Sequence, residues 1–451
     1  MGELERCFFL ENNTPTPLFK VFLGQLQGVR SMERIERFLQ GEIKKRERCV
    51  ICGKEGARPI TRYIFPLIIA ANKFPNLYPQ GSEKHGFYIC RECAIKSLSA
   101  YIGCFWYADR INNRFLLIFF YSKEEELLRT FLNRVLSDRA LVEFGNSSNL
   151  SFLNRLGELE KLSFPFEFTF RVLYEIIRRL EEFQIARENI EKFFDTLKLF
   201  VLRIDNAFGK KQRSKQIFKE FTVLFLGSKF LSFIKDLLRE EEKRKSFLRQ
   251  LYFYTRKYDT YQREEKKGEK KKKGKNYQTD LIVREEFFKH VMKGIKVPGE
   301  IIEELLIYNL LKNDSKDKPK NYKPIFAPII FRFLKIYYKH YIMEEKKILE
   351  IAVNEGKTLG EKLLNVENDC DKVKGYIYEL RRKRNVSDFM ENLNYFQLRA
   401  GHNFSQDFLN LSIEKRNSFK EWKAYFLIGM ANAVCEKCKD TTSFSSQQTS
   451  P

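Results

Sequence analysis

Long apolar runs are missing from this chain. A bilayer-crossing helix needs about 20 such residues in a row, and the longest candidates, FLLIFFY (115–121) and AYFLIGMANAVC (424–435), fall well short. A membrane-spanning role is therefore not expected. Histidine is also scarce: His85, His290, His340 and His402 are the only four in 451 residues, and they are scattered. That leaves little material for general acid–base chemistry. There is no nucleophile elbow, acidic triad or dinucleotide fingerprint. The tempting GKTLG (356–360) has Ile351 where a phosphate loop needs its first glycine, so the backbone cradle is absent and the stretch reads as a turn flanking a helix. The opening MGELERC is acidic and lacks the layout of a signal peptide. The chain is expected to be cytoplasmic and not an enzyme.

What is abundant is phenylalanine and positive charge. With 43 Phe, and 43% of residues apolar, the chain can bury a large core and is not disordered. Its 82 Lys and Arg against 59 Asp and Glu leave a formal charge of +23, with a sequence pI near 9.4. A lysine- and glutamate-rich thermostable composition would balance its signs. An excess of this size repels itself unless a polyanion neutralises it, and nucleic acid is the expected partner.

Along the chain, residues 1–150 have mixed α+β character. YIGCFWYA (101–108) and RFLLIFFYS (114–122), separated by the turn-forming DRINN, predict a β-hairpin with one buried face. FGNSSN (144–149) is a polar break. Residues 151–311 read as mainly helical: Phe170, Leu173, Ile177 and Leu180 line one helix side, and Phe194, Leu197 and Val201 repeat that spacing. The charged stretches GKKQRSK (209–215) and EEKKGEKKKKGKN (264–276) interrupt it, and the second, too poor in apolar residues to order itself, is expected to be mobile. After a polar linker at 312–324, residues 325–438 predict a C-terminal helical bundle. Capping boxes are expected at Asp388/Glu391 and Ser418/Glu421, Gly401 is placed to end a helix, and Trp422, Phe426 and Met430 point inward. Residues 439–451 read as a disordered tail.

Of nine cysteines, six lie in C-x2-C pairs, a pattern that in a reducing compartment indicates metal. Cys49, Cys52, Cys90 and Cys93 form two such pairs separated by 37 residues. Four soft sulfur ligands suit Zn2+, and a closed set of four leaves no position for a reacting water, so the zinc is structural. The gap exceeds that of a compact zinc ribbon. With a short helix predicted in AIKSLSAY, the inserted knuckle pair is expected to be a treble clef or an expanded ribbon. The third pair, Cys435 and Cys438, has no partner pair nearby, and Cys7 and Cys104 read as small core residues. Two basic clusters are candidates for nucleic-acid contact: Lys266, Lys267, Lys270, Lys271, Lys272, Lys273 and Lys275 in the second charged stretch, and Arg381, Arg382, Lys383 and Arg384 at a predicted helix end.

Taken together, the CVIC and CREC knuckles, the aromatic hairpin after them, DFMENLNYFQLRAG and FKEWKAYFLIGMANA make the chain resemble the large subunit of a type I CRISPR interference (Cascade) complex, in the family named for its paired CXXC-CXXC motif. The resemblance covers the two ends of the chain and carries over only the four cysteines, as that family's zinc motif. It implies a non-catalytic subunit that contacts the crRNA 5′ end, recognises the short PAM in target DNA, helps open the duplex and supports recruitment of a separate helicase-nuclease. It also implies assembly with other CRISPR complex subunits, with guide pairing supplying most of the sequence specificity. Two other readings stay open: a zinc-dependent HNH-like nuclease using His85, which lies between the knuckles, and a zinc-ribbon structural or regulatory protein.

Overall fold

The computed structural model describes residues 44–59, 88–99, 105–109, 114–129, 165–182, 187–205, 217–244, 247, 251, 280–311 and 326–437. It divides into two units, Met1–Gly227 and Ser228–Pro451.

In the first unit, β1 (Lys44–Arg48) and β2 (Glu55–Pro59) form an antiparallel hairpin. β3 (Tyr88–Ile89) pairs with β2 through Arg58↔Ile89, giving a small sheet of order β1-β2-β3. The chain then enters helix α1 (Arg91–Ser99), as AIKSLSAY predicted.

A second antiparallel sheet has the order β4-β5-β6-β7. Its first two strands, β4 (Phe105–Asp109) and β5 (Arg114–Tyr121), are the expected hairpin, with Ala108 opposite Phe115. Helices α2 (Pro165–Glu182) and α3 (Arg187–Thr196) follow. Phe170, Leu173 and Ile177 are buried on α2, which packs on β5 and β6. Proline at the first helical position costs no hydrogen bond and presets φ.

Most described residues of 151–311 are helical as read, but the helical spacing of Phe194, Leu197 and Val201 does not continue past Thr196. Residues Lys198–Asp205 form β6 and Ile217–Phe225 form β7, and Val201 lies opposite Ile118 in the sheet instead of on a helix. The cause is the period: Leu199 and Val201 are buried while Lys198 and Phe200 are half-exposed, the two-residue alternation of a strand with one covered face. β5 and β6 thus join in one sheet across the FGNSSN break, so that break interrupts the first unit and does not end it. GKKQRSK lies in the β6–β7 connection, outside the described residues.

The second unit is helical throughout its described residues: α4 (Gly227–Lys243), α5 (Asp280–Met292), α6 (Gly299–Leu311), α7 (Phe326–Tyr341), α8 (Met343–Glu367), α9 (Cys370–Arg382), α10 (Val386–Ala400), α11 (Gln406–Glu414), a 3-10 turn at Arg416–Ser418, and α12 (Phe419–Lys437). Helix α12 organises the unit. Every residue from Trp422 to Cys435 is buried, so the helix is covered on all sides, and its neighbours α6, α7, α8 and α9 surround it. Trp422, Phe426 and Met430 are inward as predicted, but so are the residues between them. No described helix is long and apolar enough to cross a membrane.

Two local expectations are corrected here. GKTLG is not a turn: Gly356 and Gly360 lie inside α8, where the backbone of α12 passes. A Cβ on Gly356 would meet the Phe426 carbonyl oxygen at 2.0 Å, and one on Gly429 would meet the Val353 oxygen at 2.1 Å. The glycines are required by the close approach of two backbones. The cap of α10 also begins three residues earlier than Asp388. Asn385 accepts from the Asp388 backbone N–H at 2.8 Å, and its amide donates to the Asp388 carboxylate at 2.9 Å, making Asp388 the third helical residue of the box. Gly401 does end α10, in the left-handed region at φ 56°. Ser418 stands immediately before α12, and Glu421 faces Lys296 at 3.7 Å.

Candidate metal centre

The knuckle begins where β1 ends. The Cys49 N–H donates to the Lys54 carbonyl at 2.9 Å and the Gly53 N–H donates back to the Cys49 carbonyl at 2.8 Å, closing a tight turn. That turn demands φ +72° at Gly53, a conformation that suits glycine. The Val50 N–H donates to the Tyr88 carbonyl at 2.9 Å, which ties the knuckle to β3. The second pair comes from the other side: Cys90 follows β3 directly, and Cys93 sits in the first turn of α1, with the Ala94 N–H donating to the Cys90 carbonyl at 3.0 Å. Strand, thiol and helix start are consecutive, so Cys90 and Cys93 stand at the N-terminal end of the helix dipole, which works against the burial that disfavours their ionised forms.

All four Sγ atoms lie within 4.8 Å of one another. A tetrahedral zinc with Zn–S bonds of about 2.3 Å places its sulfurs about 3.8 Å apart, and Cys52 Sγ is 3.6 Å from Cys90 Sγ. The donor set therefore fits a four-coordinate thiolate ion such as Zn2+. Cys49, Cys90 and Cys93 are buried and Cys52 is exposed. An exposed ion pair, Lys54 Nζ to Glu92 at 2.8 Å, bridges the halves and contributes little by itself.

The electrostatics of the cage point the same way. Burial opposes ionisation of Cys49, yet hydrogen bonds from the backbone N–H groups of Cys90, Cys52 and Ile51 bring it down to about 6. Burial pushes Cys90 up, and pushes Cys93 up to about 12 with the adjacent thiols adding to the effect. One thiolate thus raises the cost of the next, and a bound cation would offset that cost.

Of the remaining predicted site residues, the lysines from Lys266 to Lys275 lie outside the described residues, as do His85 and Cys438. Arg381, Arg382, Lys383 and Arg384 are at a helix end as expected, closing α9. Arg382 and Arg384 are exposed, while Arg381 faces Glu303 at 3.8 Å. Cys370 is disulfide-bonded and Cys435 is buried. His290, His340 and His402 contact the Glu286 carbonyl, Asp236 and Glu355 respectively.

The residue that anchors the basic turn escaped sequence reasoning. Lys423, on α12, is buried, and its Nζ donates to the Arg381 carbonyl (3.0 Å), the Lys383 carbonyl (3.1 Å) and the Glu303 carboxylate (3.0 Å). All three ammonium protons are used, two of them on the orphan carbonyls at the α9 C-terminus. Lys423→Met should cost about 3–5 kcal/mol in denaturant unfolding, because the Glu303 carboxylate is left buried without this partner. The double variant Lys423→Met/Glu303→Leu should recover part of that loss. The only sequence sign is a lysine beside Trp422 in an otherwise apolar stretch of helix.

No protein-family model matches the chain, and no curated protein matches it. The four-cysteine cluster remains the feature of the described residues that most constrains function.

Proposed function

We propose that the chain is a non-catalytic, nucleic-acid-binding subunit of a CRISPR RNA-guided surveillance complex, with a structural zinc in a treble-clef-like knuckle and a C-terminal helical bundle. The observation that carries this reading is the convergence of Cys49, Cys52, Cys90 and Cys93, the residues on which the resemblance rests, into one closed thiolate set. Hairpin ligands followed by helix-borne ligands support the treble clef. The excess of +23 and the exposed Arg382 and Arg384 support a polyanionic partner, crRNA and target DNA in this reading. Work alongside a separate helicase-nuclease follows from the same resemblance, and a cytoplasmic location is part of the proposal.

Expression of the native operon with a tag on this chain tests the proposal: a short guide RNA and further complex subunits should co-purify. Nicking of DNA by the isolated chain, abolished in His85→Ala, would overturn it in favour of the nuclease. Replacing the seven lysines between Lys266 and Lys275 by Gln should flatten the salt dependence of DNA binding by about 0.9 in log–log slope for every phosphate no longer neutralised. An unaltered slope in a salt titration removes that stretch from the interface.

A further inference from the structure

The four-stranded sheet presents a row that the zinc site does not use. Tyr121, Lys198 and Phe225 are direct cross-strand neighbours on β5, β6 and β7. Their side chains therefore stand on one face of the sheet. Leu199, Ile118 and Leu224, on the alternate positions, are buried. The first face is closed at the Leu117–Leu202 row, where both residues are buried, and opens toward Tyr121 and Phe225, which are 48% and 68% exposed. Val223, one row in, is exposed as well.

Between the two rings sits a cation. Lys198 Nζ lies 5.2 Å from the Phe225 ring centroid and 5.9 Å from that of Tyr121, within the range of a cation–π contact. No carboxylate among the described residues forms an ion pair with it. The row therefore offers two π faces and an ammonium with no counter-ion among the described residues, in a chain whose charge is +23.

We propose that this row is a stacking platform for single-stranded nucleic acid, with bases laid on Tyr121 and Phe225 and a phosphate at Lys198. The inference rests on the nucleic-acid-binding reading above and names a place for it. A single strand is the occupant because its bases are free to leave their stack and lie on aromatic rings, whereas a duplex hides those faces. The ammonium neutralises a phosphate without reading sequence, so the platform tolerates any base.

The test uses the full, zinc-loaded chain and a fluorescein-labelled oligothymidylate of about 15 nucleotides. Phe225→Ala and Tyr121→Ala should each raise Kd by about tenfold in anisotropy titrations, and binding of a duplex of the same length should hold steady. Both side chains are largely outside the core, and matching thermal melts would verify that the variants fold. Photo-crosslinking with an iodouridine-substituted strand should label β5 or β7. Unchanged single-strand affinity in both variants overturns the platform, as does labelling confined to other segments. Arg382→Gln/Arg384→Gln separates the two readings: weakening there, with none at Tyr121 or Phe225, removes the platform and leaves nucleic-acid binding intact. A chain that binds no nucleic acid at low salt removes both. If Phe225→Ala turns a dimer into a monomer in light scattering without altering single-strand affinity, the face belongs to a second copy and the proposal fails.

Discussion

Removal of zinc is expected to unfold the knuckle, and Cys93→Ser is expected to do the same without a chelator. The free energy of a structural thiolate site is roughly 10–16 kcal/mol at neutral pH, comparable to or larger than the net stability of a typical domain. Among the described residues little else holds the two halves together: β3 is two residues long, and the Lys54–Glu92 bridge is exposed. Purified chain should contain one zinc per molecule, and cobalt substitution should give the visible absorption of tetrahedral thiolate ligation. Absence of that absorption, with all four thiols reacting freely with a thiol reagent, would refute the site. The sign of the pH effect is set by competition: thiolates bind the metal and protons bind the thiolates, so acidification releases the ion and alkali retains it. The second unit should keep its helical circular dichroism through metal loss, since its core lies around α12 and not around the cysteines.

Gly429→Ala should be strongly damaging for a single added methyl group, because it wedges α12 away from α8. The added carbon would stand 2.1 Å from the Val353 oxygen and 2.6 Å from the Lys357 nitrogen. Both are main-chain atoms of α8, so relief requires two central helices to separate and the packing around Trp422 and Phe426 to loosen. A loss on the order of 3–5 kcal/mol is expected, read as a fall in the midpoint of thermal or denaturant unfolding. Gly375→Ala is the matched control. It lies within α9 with nothing inside 4 Å of the new carbon, and the reduced freedom of the unfolded chain should stabilise it by about 0.4–1 kcal/mol. Equal effects at both positions would show that helix propensity, and not the crossing, governs α8 and α12.

These two sites differ in how legible they are from residues alone. The cysteine pairs announce themselves because metal ligation restricts both residue type and local spacing, and the aromatic hairpin and Gly401 obey similarly local rules. β6 hides behind a coincidence: Phe194, Leu197 and Val201 fit a helical spacing while straddling the end of α3 and the start of a strand. GKTLG hides because a glycine pair looks like a break until a second helix is found against it.

By itself, the sequence determined the grouping of the four cysteines, the positive excess, the hairpin and the helix stop at Gly401, since each depends on chemistry within a few residues or on a sum over the chain. Only tertiary structure decided that β6 and β7 complete a sheet begun at β4, that Lys423 closes α9, and that α8 and α12 touch through their glycines. Those outcomes depend on what lies across the gap from a residue, and burial, carbonyl pairing and close backbone approach exist only once distant segments have met.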